Sequence, residues 1–119
     1  MSAPHCKVLI IDDDEDTREA LLDAMRDAGF LVEAVATAAA ALRKIDEGDD
    51  PDVILLDLRM PGMDGTEFLE RTRHGRARVI VLTGDGSARL LRFARGAKLL
   101  PKPVDLDELE AAVKEACAA

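Results

Sequence analysis

The stretch Val53-Ile54-Leu55-Leu56-Asp57-Leu58-Arg59-Met60-Pro61-Gly62-Met63-Asp64-Gly65 is the point from which the fold can be worked out. Four apolar residues follow the turn-forming Asp50-Pro51-Asp52 and read as a short buried strand, because a parallel strand covered on both faces shows a continuous apolar run. Asp57 falls where that strand should end. A carboxylate is costly to bury, and the Pro61-Gly62 and Asp64-Gly65 pairs after it signal a loop that keeps it open to solvent. Taken alone, Asp57 reads as a polar strand terminus, so its meaning depends on what else reaches the same edge.

On the N-terminal side, Lys7 to Ile11 is a second apolar run, and it ends at five consecutive acids, Asp12-Asp13-Asp14-Glu15-Asp16. A helix should follow, with Leu21, Ala24, Met25 and Ala28 at i, i+3, i+4 and i+7, Asp16 as cap with Glu19 as its reciprocal partner, and Gly29 as the stop. Leu31 to Ala36 reads as a strand, and Thr37 can cap a helix through Leu42 and Ile45 that breaks at Gly48-Asp49-Asp50-Pro51. On the C-terminal side, Phe68 and Leu69 mark a short helix that gives out at His74-Gly75, and Val79 to Thr83 is a buried strand followed by the loop Gly84-Asp85-Gly86. A short helix is expected over Ser87 to Ala94, and a fifth strand over Ala97 to Leu100. A final helix carries Leu106, Leu109 and Val113 on one stripe, with Asp105 and Glu108 at its start.

Five strands alternating with five helices call for an α/β fold, a doubly wound parallel sheet with helices on both faces. In such sheets the ligand crevice lies beyond the C-terminal ends of the strands. Asp12 and Asp13 follow the first strand, Asp57 ends the third, Thr83 ends the fourth and Lys102 follows the fifth, so all five belong to one edge.

The 119 residues form one domain, which buries a single core without staples. Cys6 and Cys117 show no metal or redox spacing and are expected to be free thiols suited to a reducing cytoplasm. No apolar run suits a signal peptide or a membrane span, so a cytoplasmic protein is expected. The net charge of −8 is uneven: residues 59 to 102 carry ten Lys and Arg against four Asp and Glu, so one side is expected to be basic. With three Phe and no Trp or Tyr, the stacking platforms used on single-stranded nucleic acid are missing, which argues against a nucleic-acid partner. His5 and His74 read as lone surface histidines. The arginines at 71, 73, 76, 78, 89, 92 and 95 read as solvated or as a docking surface for an acidic partner.

Three carboxylates in one crevice repel. At an effective dielectric near 20, each pair about 5 Å apart costs roughly 3 kcal/mol. A hard divalent cation answers that repulsion, and oxygen ligands with room for phosphate suit Mg²⁺, with Mn²⁺ as a substitute. One such ion and the Lys102 ammonium balance the three acids. Asp57 can then act as nucleophile toward a phosphoryl group, with Lys102 and the Thr83 hydroxyl supporting the phosphoryl oxygens.

Four pieces in order, Ile11-Asp12-Asp13-Asp14, the Leu56 to Gly65 signature, Val81-Leu82-Thr83-Gly84 and Lys102-Pro103, resemble the receiver domain of two-component response regulators over essentially all of the chain. The resemblance implies a flavodoxin-like sheet of order 2-1-3-4-5, similar to the chemotaxis response regulator, and a stand-alone receiver over residues 1–119 with no effector domain. It implies a phosphorylation-dependent switch that takes a phosphoryl group from a sensor histidine kinase or a histidine phosphotransfer protein and passes its signal to a downstream protein. Such a domain is not an enzyme for another substrate; it catalyses its own phosphoryl transfer and autodephosphorylation. By the same resemblance Asp57 is the phosphoacceptor and Asp13 a direct metal ligand. Asp12 acts through water, the Arg59 main-chain carbonyl is another ligand, and the Lys102-Pro103 bond is cis.

Some residues depart from the family pattern. Leu99 stands where many receivers carry a rotating aromatic, and Pro101 removes a backbone donor at the end of the fifth strand. Arg59 and Asp85 fall at rim positions where they can pair over the phosphate or remain solvated. A calcium loop at Asp12, Asp14 and Asp16 fails because Thr17 fills the required Gly position and Asp23 the closing Glu. A haloacid-dehalogenase-type phosphatase would resemble Asp-x-Asp, but Arg59 takes the second acid's place. The remaining alternative is a receiver-like interaction module that signals without phosphorylation.

Overall fold

A computed structural model describes residues 6–57, 65–72, 75, 77–83 and 98–118. The expected helix over 87–94, the 84–86 loop, Arg59, Asp85, His5, His74 and most of the arginine cluster lie outside the described residues.

The strands are β1 (Lys7–Ile11), β2 (Leu31–Val35), β3 (Val53–Asp57), β4 (Arg78–Thr83) and β5 (Lys98–Pro101). The helices are α1 (Glu15–Asp27), α2 (Ala38–Asp46), α3 (Gly65–Thr72) and α4 (Leu106–Ala118). All strand pairs are parallel, in the order β2-β1-β3-β4-β5, as the apolar runs and the receiver resemblance require.

Period-two alternation divides the sheet between two cores. Val8, Ile10, Val53, Leu55, Ile80, Leu82 and Leu100 pack with Leu21 and Met25 of α1 and with Leu109, Ala112 and Val113 of α4. Leu9, Ile11, Ile54, Leu56 and Val81 pack with Ala38 and Ala41 of α2 and with Phe68 of α3. All five residues of β3, the middle strand, are buried, which is why its sequence shows no alternation.

Helix ends follow from local chemistry. After α1, Gly29 at φ +98° lets its N–H reach the Arg26 carbonyl and the Phe30 N–H the Met25 carbonyl. Gly48, at φ +105°, makes the same double closure after α2, as expected where a left-handed residue must end a helix.

Four expectations change. The cap of α1 is Asp14 rather than Asp16: its Oδ2 accepts from the Thr17 N–H at 2.8 Å and the Thr17 hydroxyl at 2.6 Å. Each aspartate of the run has the cap's chemistry, and the choice falls where β1 has run out and the chain can turn. Leu106 is exposed, because it opens α4 ahead of the turn that meets the sheet; the buried stripe is Leu109, Ala112 and Val113. Pro101 is the last residue of β5 rather than the first after it, since the strand runs one residue past Leu100. It is opposite Thr83 on an edge strand, and the Lys102 N–H, one residue on, donates to the Thr83 carbonyl, so the donor Pro101 lacks would have faced away from β4.

The fourth change concerns Cys6 and Cys117, which are disulfide-bonded across 111 residues, with Cα atoms 6.0 Å apart. Sequence spacing hides this pair because α4 runs back along the sheet and brings the last turn of the chain to the start of β1. The thiol argument for a reducing compartment therefore falls away. Among the described residues no helix is long and apolar enough to cross a membrane.

Candidate functional site

Two ladder hydrogen bonds carry the strand pattern past the last strand residues. The Asp12 N–H donates to the Val35 carbonyl at 3.1 Å, and the Lys102 N–H to the Thr83 carbonyl at 2.9 Å. Asp12, Asp57 and Lys102 each stand two residues beyond a side chain of the α1/α4 core, namely Ile10, Leu55 and Leu100. Alternation therefore places all three on one side of the sheet's C-terminal edge.

Asp57 is 3 % exposed and Asp12 1 %, the two buried charged side chains among the described residues, whereas Asp13 is exposed. Carboxylate oxygens of Asp12, Asp13 and Asp57 lie within 4.8 Å of one another. The Lys102 ammonium is 3.0 Å from Asp57 Oδ1. Thr83, half-buried, ends β4 at the same edge, and the Lys102-Pro103 peptide is cis, as the resemblance implied.

The Asp14 N–H donates to Asp12 Oδ1 at 2.9 Å, and Asp12 Oδ2 is buried with no hydrogen-bond partner among the described residues. Burial raises the Asp12 pKa above the ordinary carboxylate value, and the negative charge of Asp57 adds to the rise against the opposing Asp14 N–H. With both acids ionised, neither can donate to the other. Among the described residues, three carboxylates against one ammonium leave two negative charges, and no donor meets Asp12 Oδ2. Those residues fit a hard divalent cation bound through oxygen.

Arg59 and Asp85 lie outside the described residues. Leu99 is half-buried in β5 and packs on the α2/α3 core, on the opposite side of the strand from Leu100. Two contributors were not read from the sequence. Asp14 orients Asp12 as well as capping α1, and Arg18 Nη1 donates to the Asp12 carbonyl at 3.0 Å. The signal was available for Asp14, the last acid before the helix; for Arg18 only its place one turn into α1 pointed to it.

The family model for the response regulator receiver domain matches residues 8–114. The chain belongs to the response regulator receiver domain family. It is 33 % identical to the sporulation initiation phosphotransferase F of Bacillus subtilis, covering 92 % of this chain and 91 % of that protein. It is 38 % identical to the DNA-binding transcriptional regulator NtrC of Escherichia coli over 92 % of this chain, but it spans only 24 % of that regulator's length. A solved CheY-like receiver domain protein from Methanospirillum hungatei superposes with a TM-score of 0.89 at 32 % identity, covering 96 % of this chain and 94 % of that one. The chemotaxis response regulator CheY4 of Vibrio cholerae gives 0.83 at 29 % identity, with 94 % and 98 % covered. This receiver is thus a signalling domain of two-component systems, and receiver domains interact with histidine kinases or phosphotransfer proteins.

Proposed function

We propose that this receiver is a phosphorylation-dependent switch in which Asp57 accepts a phosphoryl group from a phosphohistidine donor. The observation that carries the reading is the buried Asp57 carboxylate, 3.0 Å from the Lys102 ammonium and within a cluster of three acids. A domain that only docked to a partner would gain nothing from gathering acids that repel.

Asp12, Asp13 and Asp57 would hold Mg²⁺ or Mn²⁺ together with the Arg59 main-chain carbonyl. When bound, the cation neutralises charge on the phosphoryl oxygens. An Asp57 oxygen attacks phosphorus as the bond to the donor imidazole breaks. Lys102 then moves its interaction from a carboxylate to a phosphoryl oxygen, and the Thr83 hydroxyl donates to another. Hydrolysis of the aspartyl phosphate by water returns the switch to rest. An Arg59 to Asp85 pair over the mouth would slow that return. Because Leu99 replaces the aromatic, an aromatic side chain swinging inward does not report the change at Thr83.

The test is intact mass after incubation with Mg²⁺ and acetyl phosphate, since the absence of Trp removes the usual fluorescence assay. One phosphoryl group should be gained by the wild type, and none by Asp57→Ala or without the cation. No gain, even from a phosphohistidine protein, would favour a receiver-like interaction module that works without phosphorylation.

A further inference from the structure

We propose that Arg18 is a positioning residue for the cation site, setting the orientation of the Asp12–Asp13 peptide through its hydrogen bond to the Asp12 carbonyl. The inference rests on the reading that Asp12, Asp13 and Asp57 hold a divalent cation.

The turn between β1 and α1 is tied on both sides of that peptide. On one side, the Asp12 N–H is held by the Val35 carbonyl at 3.1 Å. On the other, the Asp14 N–H binds Asp12 Oδ1 at 2.9 Å, and the Asp14 carbonyl accepts from the Arg18 N–H at 2.8 Å. The Asp12 carbonyl lies between these ties, and Arg18 Nη1 reaches it at 3.0 Å from a half-buried position in α1. One residue therefore bonds the turn twice, through its backbone and its guanidinium. The Asp12 and Asp13 side chains spring from the two ends of the peptide so fixed. Rotation of that peptide would swing both carboxylates relative to Asp57, which is fixed in the middle strand.

The charge of Arg18 works in the other direction. A guanidinium near the site repels a dication, so if Arg18 acted only through its field, removing it would tighten cation binding. If it acts by holding the carbonyl, removing it weakens binding. Groups that orient metal ligands commonly matter by about ten-fold or more in affinity. The two roles thus differ in sign.

The experiment is isothermal titration of Mg²⁺ into the whole protein, comparing wild type with R18A, R18K and R18Q. The expected result is binding about ten-fold weaker in R18A. R18K should recover part of the loss, because an ammonium can still donate to the carbonyl though without the planar fork. R18Q, a neutral donor on a shorter side chain, should also bind more weakly than wild type, although it has lost the repelling charge. Should R18A not fold, R18Q and R18K read the same sign. Equal or tighter binding in the folded variants overturns the positioning role while leaving the cation site intact. A wild type that binds no Mg²⁺ overturns the cation reading and this inference with it.

Discussion

Where the strands begin, Lys7 Nζ lies 2.8 Å from Asp49, the Lys7 N–H donates to the Asp52 carboxylate at 2.9 Å, and Cys6 is bonded to Cys117. Where they end, among the described residues, three acids face one ammonium and a buried carboxylate oxygen has no partner. The same sheet thus carries one edge whose charges are paired within the chain and one where, among the described residues, acids outnumber cations. Folding alone accounts for the first edge. Gathering carboxylates at the second costs stability, as is common where a site is arranged for binding.

The largest effect expected belongs to the closed edge. Reducing the disulfide releases a loop of 111 residues in the unfolded chain, which by chain entropy corresponds to about 4–5 kcal/mol of stability. Urea unfolding with and without a thiol reductant measures it, and coincident midpoints would remove the link from the account. At the open edge, Lys102→Ala should slow phosphoryl uptake from acetyl phosphate by about 100-fold or more, followed by intact mass over time, while the fold persists. A rate within two-fold or so of wild type would mean that the ammonium merely balances charge.

Asp12→Asn sharpens the contrast further. In Mg²⁺-free buffer it should raise unfolding stability by about 1 kcal/mol, since a buried charge is replaced by a group that can donate to Asp57. The pH dependence follows from burial raising the Asp12 pKa. The folded state then holds the Asp12 proton where the unfolded chain has lost it. The contribution of Asp12 to stability therefore falls as pH rises from the ordinary carboxylate value through the raised one. Asp14, lowered chiefly by the Thr17 hydroxyl, and Asp49, lowered chiefly by Lys7, act in the opposite sense and lose their contribution as pH falls. The difference between wild-type and Asp12→Asn stability across pH isolates the first term, and a flat difference would contradict it. The smallest effect is expected from Lys7→Met, because the pair with Asp49 is exposed on the lysine side and screened by water. A large loss of thermal stability there would show that the closed edge depends on its ion pair.

The sequence made much of this visible. The strands were legible because β1, β3 and β4 are buried on both faces and so appear as unbroken apolar runs, and the edge residues were legible because each follows such a run. What stayed hidden depended on three-dimensional return. Nothing local couples Cys6 to Cys117, since only the path of α4 back along the sheet brings them together. The cap was open among the four aspartates of the run until the end of β1 was known, and Leu106 looked like core because periodicity alone does not say where a helix first touches the sheet. Arg18 escaped notice because an arginine on a helix is usually solvated, and its target is a backbone carbonyl that no side-chain motif announces.

The contrast between the two edges is tested most directly by following the backbone amides by NMR during a Mg²⁺ titration. Saturable shifts confined to Asp12, Asp13, Asp57 and Lys102, with Lys7, Asp49 and Asp52 still, are the expected result. Shifts at the Lys7 and Asp49 edge instead, or none at Asp57, would contradict the account.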